Sequence, residues 1–319
     1  MTDSRTCFFS HPSSLAHNTG DGHPESPQRI SVIHDYLEQT GLAAQLACKT
    51  PHRFLDVATW IAEVHTPAYY QRLQQKIPNE GLVYLDQDTP FSPHSFLAAE
   101  MAVSGLLMAV DQVMSGVFEN AFCAFRPPGH HAEMDRAMGF CLFNNVAIGA
   151  RYLQKKYGLE RVLIVDWDVH HGNGTQNCFY TDPTVFYFST HQYPFYPGTG
   201  SLQERGKGEG EGATLNCPLS AGAGDREIIG RLNRELANAV AAFKPDFILI
   251  SAGFDAHRED PLASLEVTDE GFAEMTRIVK GLAASYCGGR IVSCLEGGYH
   301  LPALARSVGR HLEVLRGNG

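Results

Sequence analysis

One parallel α/β domain, residues 1–319, with helices on both faces of a single sheet, is the fold this sequence predicts. Three observations predict it. Short apolar runs alternate with helix-patterned segments through the chain, an order that calls for a parallel sheet covered on both sides. No internal repeat, low-complexity block or long linker divides the 319 residues. The loops that carry His, Asp and Tyr follow directly on predicted strands, and parallel sheets bind ligands outside the carboxyl ends of their strands.

Taken in order, Thr6–Ser10 reads as a first strand. A polar loop with His11, His17 and His23 follows, and His23-Pro-Glu25-Ser-Pro27 opens a helix from about Pro27 to Gln39, closed by Gly41. Arg29 falls in its first turn, an unfavourable place for a cation at a helix N-terminus, so a surface position or an anion-facing role is expected. Residues 56–76 read as two short helices broken at Thr66-Pro67, and Asp86 to Pro90 as a loop containing Asp88. Ser95–Gly116 carries a long helical pattern. Ala121–Phe125 is a strand that opens into Arg126-Pro-Pro-Gly-His130-His131. Gly139-Phe140-Cys141 leads to a helix ending near Tyr157.

The central stretch is Arg161-Val-Leu-Ile-Val-Asp166-Trp-Asp168-Val-His170-His171-Gly-Asn173-Gly174. Val162 to Val165 form a buried strand, and the polar residues begin where it ends. Thr184–Thr190 is the next strand, opening into His191 and the Phe195-Tyr196-Pro197-Gly198 loop. Residues 203–212 are an exposed loop; their alternating glycines lack a leading strand and a following GK[ST], so they form no phosphate loop. Asp225–Phe243 is a helix stopped by Lys244-Pro245. Phe247–Ser251 is a strand opening into Asp255, Thr268–Tyr286 a helix, and Arg290–Leu295 a strand opening into Glu296-Gly-Gly-Tyr299. A last helix ends near Leu315.

Composition narrows the class. Hydrophobic residues make up 44% and charged residues 19%, as in an ordinary globular protein. A formal net charge of -10 argues against a nucleic-acid binder, which needs clustered Lys and Arg. No uninterrupted apolar run approaches the ~18 residues of a membrane span. The N-terminus, Met-Thr-Asp-Ser-Arg, has no signal-peptide pattern. Eight cysteines are scattered without CxxC spacing, and Cys123 and Cys294 lie in apolar runs, where a reduced, buried, inert thiol is expected. The same holds for Cys141 beside the tandem histidines. These features suggest a reducing cytoplasm.

The reactive loops then define a chemistry. Asp166, Asp168 and His170 alternate, and in extended chain residues two apart point the same way. Asp168, His170 and Asp255 make three oxygen or nitrogen ligands without a thiolate, a set that suits zinc or another first-row divalent ion. Three protein ligands and an open position let a metal lower the pKa of water and polarise a carbonyl. His130 and His131 supply titratable groups for moving a proton. Asp166 is suited to orient one of the imidazoles. Tyr299, flanked by Gly297 and Gly298, can donate to a developing oxyanion. His171 reads as packing, and His11, His17, His23 and His257 as loop or rim residues. Together the parts hydrolyse an amide or ester carbonyl.

Arg-Pro-Pro-Gly-His-His with Gly-Phe-Cys-Leu-Phe-Asn, Asp-Trp-Asp-Val-His-His-Gly-Asn-Gly, Ser-Ala-Gly-Phe-Asp and Glu-Gly-Gly-Tyr resemble the histone deacetylase family, most closely its class II members and bacterial deacetylase-like amidohydrolases. The resemblance runs from about Phe8 to the last helix and implies the arginase–deacetylase α/β fold. It implies that Asp168, His170 and Asp255 bind Zn2+, that His131 is the general base and acid, and that His130, backed by Asp166, stabilises charge. Tyr299 matches the tyrosine that polarises the scissile carbonyl. Gly139, Phe140 and Tyr196 match the walls of an acyl-lysine channel, with Tyr196 where phenylalanine is usual. Gly298 and Leu262 belong to the same substrate region, Asp88 matches a rim aspartate that holds the substrate backbone, and Arg29 an arginine near the acetate exit. Backbone oxygens of Asp166, Asp168, His170, Ser189 and Thr190 match a structural K+ site. Asn173 stands where class I members carry Asp behind the second histidine; a neutral partner leaves His131 better poised as a base.

The resemblance implies an acetylated lysine peptide or protein, or a small acetylated amine, as substrate. A binuclear manganese ureohydrolase would need further carboxylates beside Asp255, and a silent acyl-lysine reader would have lost a ligand or Tyr299. Leu262, seven residues after Asp255, stands where polyamine-selective relatives carry glutamate, which favours acetyl-lysine peptides. Glu259 and Asp260 nearby are the residues able to restore that charge.

Overall fold

The computed structural model describes residues 5–317; the polar N-terminus without a signal pattern lies, Arg5 apart, outside them. Among the described residues ten strands run β1 Thr6–Ser10, β2 Ala47–Lys49, β3 Val83–Tyr84, β4 Pro90–Phe91, β5 Asn120–Ala124, β6 Val162–Asp166, β7 Val185–Gln192, β8 Thr214–Leu219, β9 Phe247–Ala252 and β10 Ile291–Leu295. Eight of them form one sheet in the order β2-β1-β5-β10-β9-β6-β7-β8, and β3 and β4 pair as a small separate ribbon. Every pairing in the large sheet is parallel.

The continuous apolar runs follow from burial on both faces. Along β6, Val162 and Ile164 join one core cluster, while Leu163 and Val165 join the other. Phe247 and Leu249 on β9 divide from Ile248 and Ile250 in the same way. Helices Ser95–Met114 and Asn145–Tyr157 cover the first face; Gln28–Gln39, Asp269–Tyr286 and Leu301–Arg316 cover the second. Each fully buried Leu, Ile or Phe stabilises the sheet by about 1.5–3 kcal/mol.

Local signals set the helix starts. The Thr66 side chain accepts from Tyr69 N at 3.2 Å, with Pro67 at the first helical position, a cap worth about 1 kcal/mol. Asn144 caps the helix behind the His130 loop by accepting from Ala147 N at 3.1 Å. Ser95–Met114 is long and apolar enough by mean hydropathy to cross a membrane although polar residues interrupt it; 78% of its most apolar 18-residue window is buried inside the fold, as in a core helix.

Among the described residues, the sequence reading misses the short helix Ser13–Ala16, the β3–β4 ribbon, both edge strands of the large sheet and one helix at the site. β2 has three residues and lies at one edge of the sheet; β8, at the other, contains Pro218, which a sheet tolerates at its edge. Helix Asn173–Phe179 starts on Asn and Gly, both poor helix formers. Tertiary contact requires Gly174, since a Cβ there would lie 2.2 Å from the Ala132 carbonyl oxygen. The expected helix 225–243 is present, with a π-helical turn over Leu232–Leu236.

Candidate active site

The reactive side chains gather at the carboxyl ends of β5, β6, β9 and β10. Asp166 ends β6, and the chain turns at once. Its Oδ1 accepts from Asp168 N at 3.1 Å, and Asp168 Oδ1 in turn accepts from His170 N at 2.9 Å. Asp255, three residues past β9, accepts from Val169 N at 2.9 Å, and Asp168 Oδ2 accepts from Gly297 N at 2.7 Å after β10. Three strand ends are thereby tied together through carboxylates and backbone amides.

Asp168, His170 and Asp255 each offer a ligand atom within 4.8 Å of the others. His170 Nδ1 lies 3.1 Å from Asp168 Oδ1 and 3.2 Å from Asp255 Oδ2. Asp255 Oδ2 is a buried oxygen with no hydrogen-bond partner. Burial and the neighbouring Asp168 charge push the Asp255 carboxyl up to about 7. Two buried carboxylates at this range call for a cation, and an Asp-His-Asp set suits zinc or a similar divalent ion. Two glycines shape the cradle. A Cβ on Gly253 would stand 2.2 Å from Asp168 Oδ2, and one on Gly297 2.0 Å from Asp255 Oδ2. The residues present therefore fit a bound metal.

The tandem histidines differ sharply. His130 Nδ1 lies 3.0 Å from Asp166 Oδ2, which also accepts from the Tyr187 hydroxyl at 3.0 Å. Burial alone would lower its pKa, but the Asp166 and Asp168 charges outweigh burial and raise it to about 10. His131 Nδ1 lies 2.7 Å from Asn173 Oδ1. Burial, with the positive charge of His130 and His170, holds it well below the ordinary histidine value. Glu296 props the loop beneath both, accepting from Gly129 N at 2.7 Å and His130 N at 3.2 Å.

Arg29 is fully buried, which corrects the surface option. Its Nε donates to Gly298 O at 2.7 Å, its Nη2 to Glu296 O at 2.5 Å, and its Nη1 to Glu25 Oε1 at 3.0 Å. The guanidinium lies 5.0 Å from the Tyr299 ring centroid. Glu25 also pairs with Arg126, whose Nη2 donates to Oε2 at 2.8 Å. The carboxylate one turn back thus offsets the poor placement of Arg29 at its helix start. Burial raises the Tyr299 hydroxyl well above 10, so it keeps its proton.

A pocket of about 220 Å³ opens above this floor, lined by Asp88, His131, Gly139, Phe140, His170, Phe195, Tyr196, Leu262 and Tyr299. Phe140 adopts a left-handed φ of 68°, a strained conformation for a bulky residue that functional sites retain. Tyr196 stands edge-on to His131 at 5.1 Å. Phe195 lies flat against His170 at 5.5 Å and was not singled out from sequence; its adjacency to Tyr196 was the available signal. Gly298 does not line the pocket; its carbonyl faces Arg29 instead. Asp260 Oδ2 accepts from Tyr299 N at 2.7 Å, and Glu259 pairs with Arg306 at 2.9 Å. Both acids beside Leu262 are thus already engaged.

Other residues take plainer places. His17 and His257 are buried, not at a rim, and pair with Glu25 and Asp269. His171 bonds to Thr199 and Gln176 and ligates nothing in the cluster. Asp166 on β6 stands in register with Ser189 on β7, beside Thr190. Asp88 is half-buried above Thr89, whose hydroxyl donates to it at 3.2 Å. Arg126, Tyr187, Glu296, Gly253 and Gly297 carry no role in the sequence reading, because their partners lie far along the chain; Glu25 carries none although Arg29 is only four residues on.

A parallel sheet with a buried Asp-His-Asp cluster and tandem histidines at its carboxyl edge defines a metal-dependent hydrolase. Residues 23–315 match the histone deacetylase domain. A probable deacetylase of Archaeoglobus fulgidus is 41% identical, over 91% of this chain and 80% of its own length. Mouse polyamine deacetylase HDAC10 is 39% identical, over 92% of this chain and 45% of its own. The crystal structure of the HDA15 HD domain superposes with a TM-score of 0.92 at 36% identity, covering 100% of this chain and 90% of that one. The chain belongs to the histone deacetylase family and has its arginase–deacetylase fold. It is a hydrolase of the deacetylase type.

Proposed function

We propose that this protein removes acetyl groups from lysine side chains of peptides or proteins, using one zinc ion held by Asp168, His170 and Asp255. The observation that carries this reading is the narrow pocket. Phe140, Phe195 and Tyr196 line it, and it reaches His170 of the Asp-His-Asp cluster with His131 and Tyr299 beside it. Aromatic walls suit an alkyl stem threaded between them. The metal, when bound, lowers the pKa of water and polarises the amide carbonyl. His131 takes the proton from the attacking water at Nε2 and delivers it to the departing lysine nitrogen, a task worth about 10²–10⁴ in rate. Tyr299 donates its hydroxyl to the carbonyl oxygen as charge builds there. His130, kept charged by Asp166, adds a fixed positive field. Asp88 holds the substrate backbone at the rim, and Gly298 serves the site through its carbonyl bond to Arg29. Backbone oxygens of Asp166, Asp168, His170, Ser189 and Thr190 would hold a potassium ion, which would stiffen the β6–β7 end. Eight free cysteines suit a reducing, cytoplasmic setting.

An acetylpolyamine substrate is the second reading, favoured by the identity to the mouse polyamine deacetylase. Leu262 opposes it. It offers no counter-charge to a second ammonium, and Glu259 and Asp260 are committed elsewhere. A panel of acyl-lysine peptides and N-acetylated putrescine and spermidine, assayed with zinc-loaded protein, decides between the two. Acetyl-lysine peptides should give the higher kcat/KM; a higher value for an acetylpolyamine than for every peptide overturns the proposal.

A further inference from the structure

Behind His131 the hydrogen-bond chain does not stop at Asn173. Asn173 Nδ2 donates to Glu133 Oε1 at 2.6 Å and also faces His131 O at 3.3 Å and Met138 Sδ at 3.4 Å. All three neighbours are acceptors. A flipped amide would turn its oxygen against them, so the orientation is fixed by the network. With Nδ2 turned to Glu133, Oδ1 is left facing His131 Nδ1 at 2.7 Å. An amide oxygen only accepts, so the His131 proton sits on Nδ1 and the lone pair on Nε2.

Glu133 is itself held in place. Asn177 Nδ2 donates to its two carboxylate oxygens at 2.9 and 3.2 Å. Asn177 lies one helical turn after Asn173 on helix Asn173–Phe179, so both amides project from the same face. The Glu133 backbone is pinned too: its N–H donates to Arg136 O at 2.9 Å, and its carbonyl faces His65 Nδ1 at 2.8 Å. A charged acceptor makes a stronger bond than a neutral one and polarises the amide toward His131.

We infer that Glu133 is a positioning residue for the deacetylation reaction: through Asn173 it fixes the tautomer of His131 that leaves Nε2 free to take a proton. This rests on the reading of His131 as general base. Glu133→Ala removes the acceptor, while Glu133→Gln keeps one. Expected for Glu133→Ala is a loss of about tenfold in kcat, the low end for residues that orient catalytic groups, with KM and metal content unchanged. Glu133→Gln should keep most of the rate.

A complementary swap guards against misfolding of the alanine variant. Asn173→Asp sets two carboxylates against each other and should lower kcat about tenfold; in a Glu133→Gln background the glutamine amide can donate to the new aspartate, and the rate should return. Imidazole ¹⁵N NMR of the zinc-loaded protein should show His131 protonated at Nδ1 in the parent and in Glu133→Gln, and a mixture in Glu133→Ala. An unchanged rate and tautomer in Glu133→Ala, or the same loss for Asn173→Asp in both backgrounds, overturns the inference. His131→Ala tests the base reading separately: full activity there sinks that reading and leaves the tautomer result to be judged alone.

Discussion

The floor of the site and its rim are built to different standards. On the floor, Asp166, Asp168, Asp255 and Glu296 are between 0% and 1% exposed, and each accepts a hydrogen bond from another strand or from the loop that follows one. At the rim, Asp88 and Leu262 stand on half-exposed loops, and Tyr196 is 38% exposed. Groups that must hold a metal and develop charge need fixed positions and a low dielectric, and strand ends supply both. Groups that choose a substrate need only a surface of the right shape and charge. Floor changes should therefore cost orders of magnitude, and rim changes small factors.

The largest effect expected is that of Asp255→Ala. It removes one of three ligands, so metal analysis should fall from about one ion per chain to nearly none, with activity lost and circular dichroism unchanged. Two tightly held ions in the parent protein would instead favour the binuclear ureohydrolase chemistry. Next is Tyr299→Phe, which sits where floor meets rim. Loss of an oxyanion donor costs about 10²–10³ in kcat, with zinc retained and KM little changed. Near-parental turnover would mean that the carbonyl needs no help from this hydroxyl. The smallest effect belongs to the rim. Leu262→Glu should shift preference toward acetylpolyamines by ~1–2 kcal/mol, the scale of a partly exposed charge contact. If the ratio of kcat/KM values does not move, the rim loop does not read the second cation.

The same division governs what was legible. Asp166, Asp168 and His170 announce themselves because they sit two apart at the end of an apolar run, and a strand turns that spacing into one direction. Asp255 and Tyr299 follow by the same rule after β9 and β10. For Arg29 only the surface option fails: it faces the Glu25 carboxylate, in an environment that Glu25, Glu296 and Gly298 make together. Edge strands β2 and β8 were invisible because an edge needs only one partner and tolerates short or proline-bearing sequence. Phe195 and Gly298 are neighbours of Tyr196 and Tyr299, but which of two adjacent residues lines a pocket depends on local backbone twist.

By itself the sequence determined the central strands, the helices that cover them and the candidate ligand residues, because periodicity and the end of an apolar run are local properties of the chain. Only the tertiary structure decided what those atoms do to one another. His130 and His131 are consecutive and chemically identical. One is driven up by Asp166, 36 residues away; the other, bonded to Asn173 42 residues away, is held down by burial and the charges of His130 and His170. Gly253 and Gly297 are needed because Asp168 and Asp255 occupy the space of their missing side chains. Charge, burial and steric exclusion act through space, so they take effect only once the fold brings distant strand ends together.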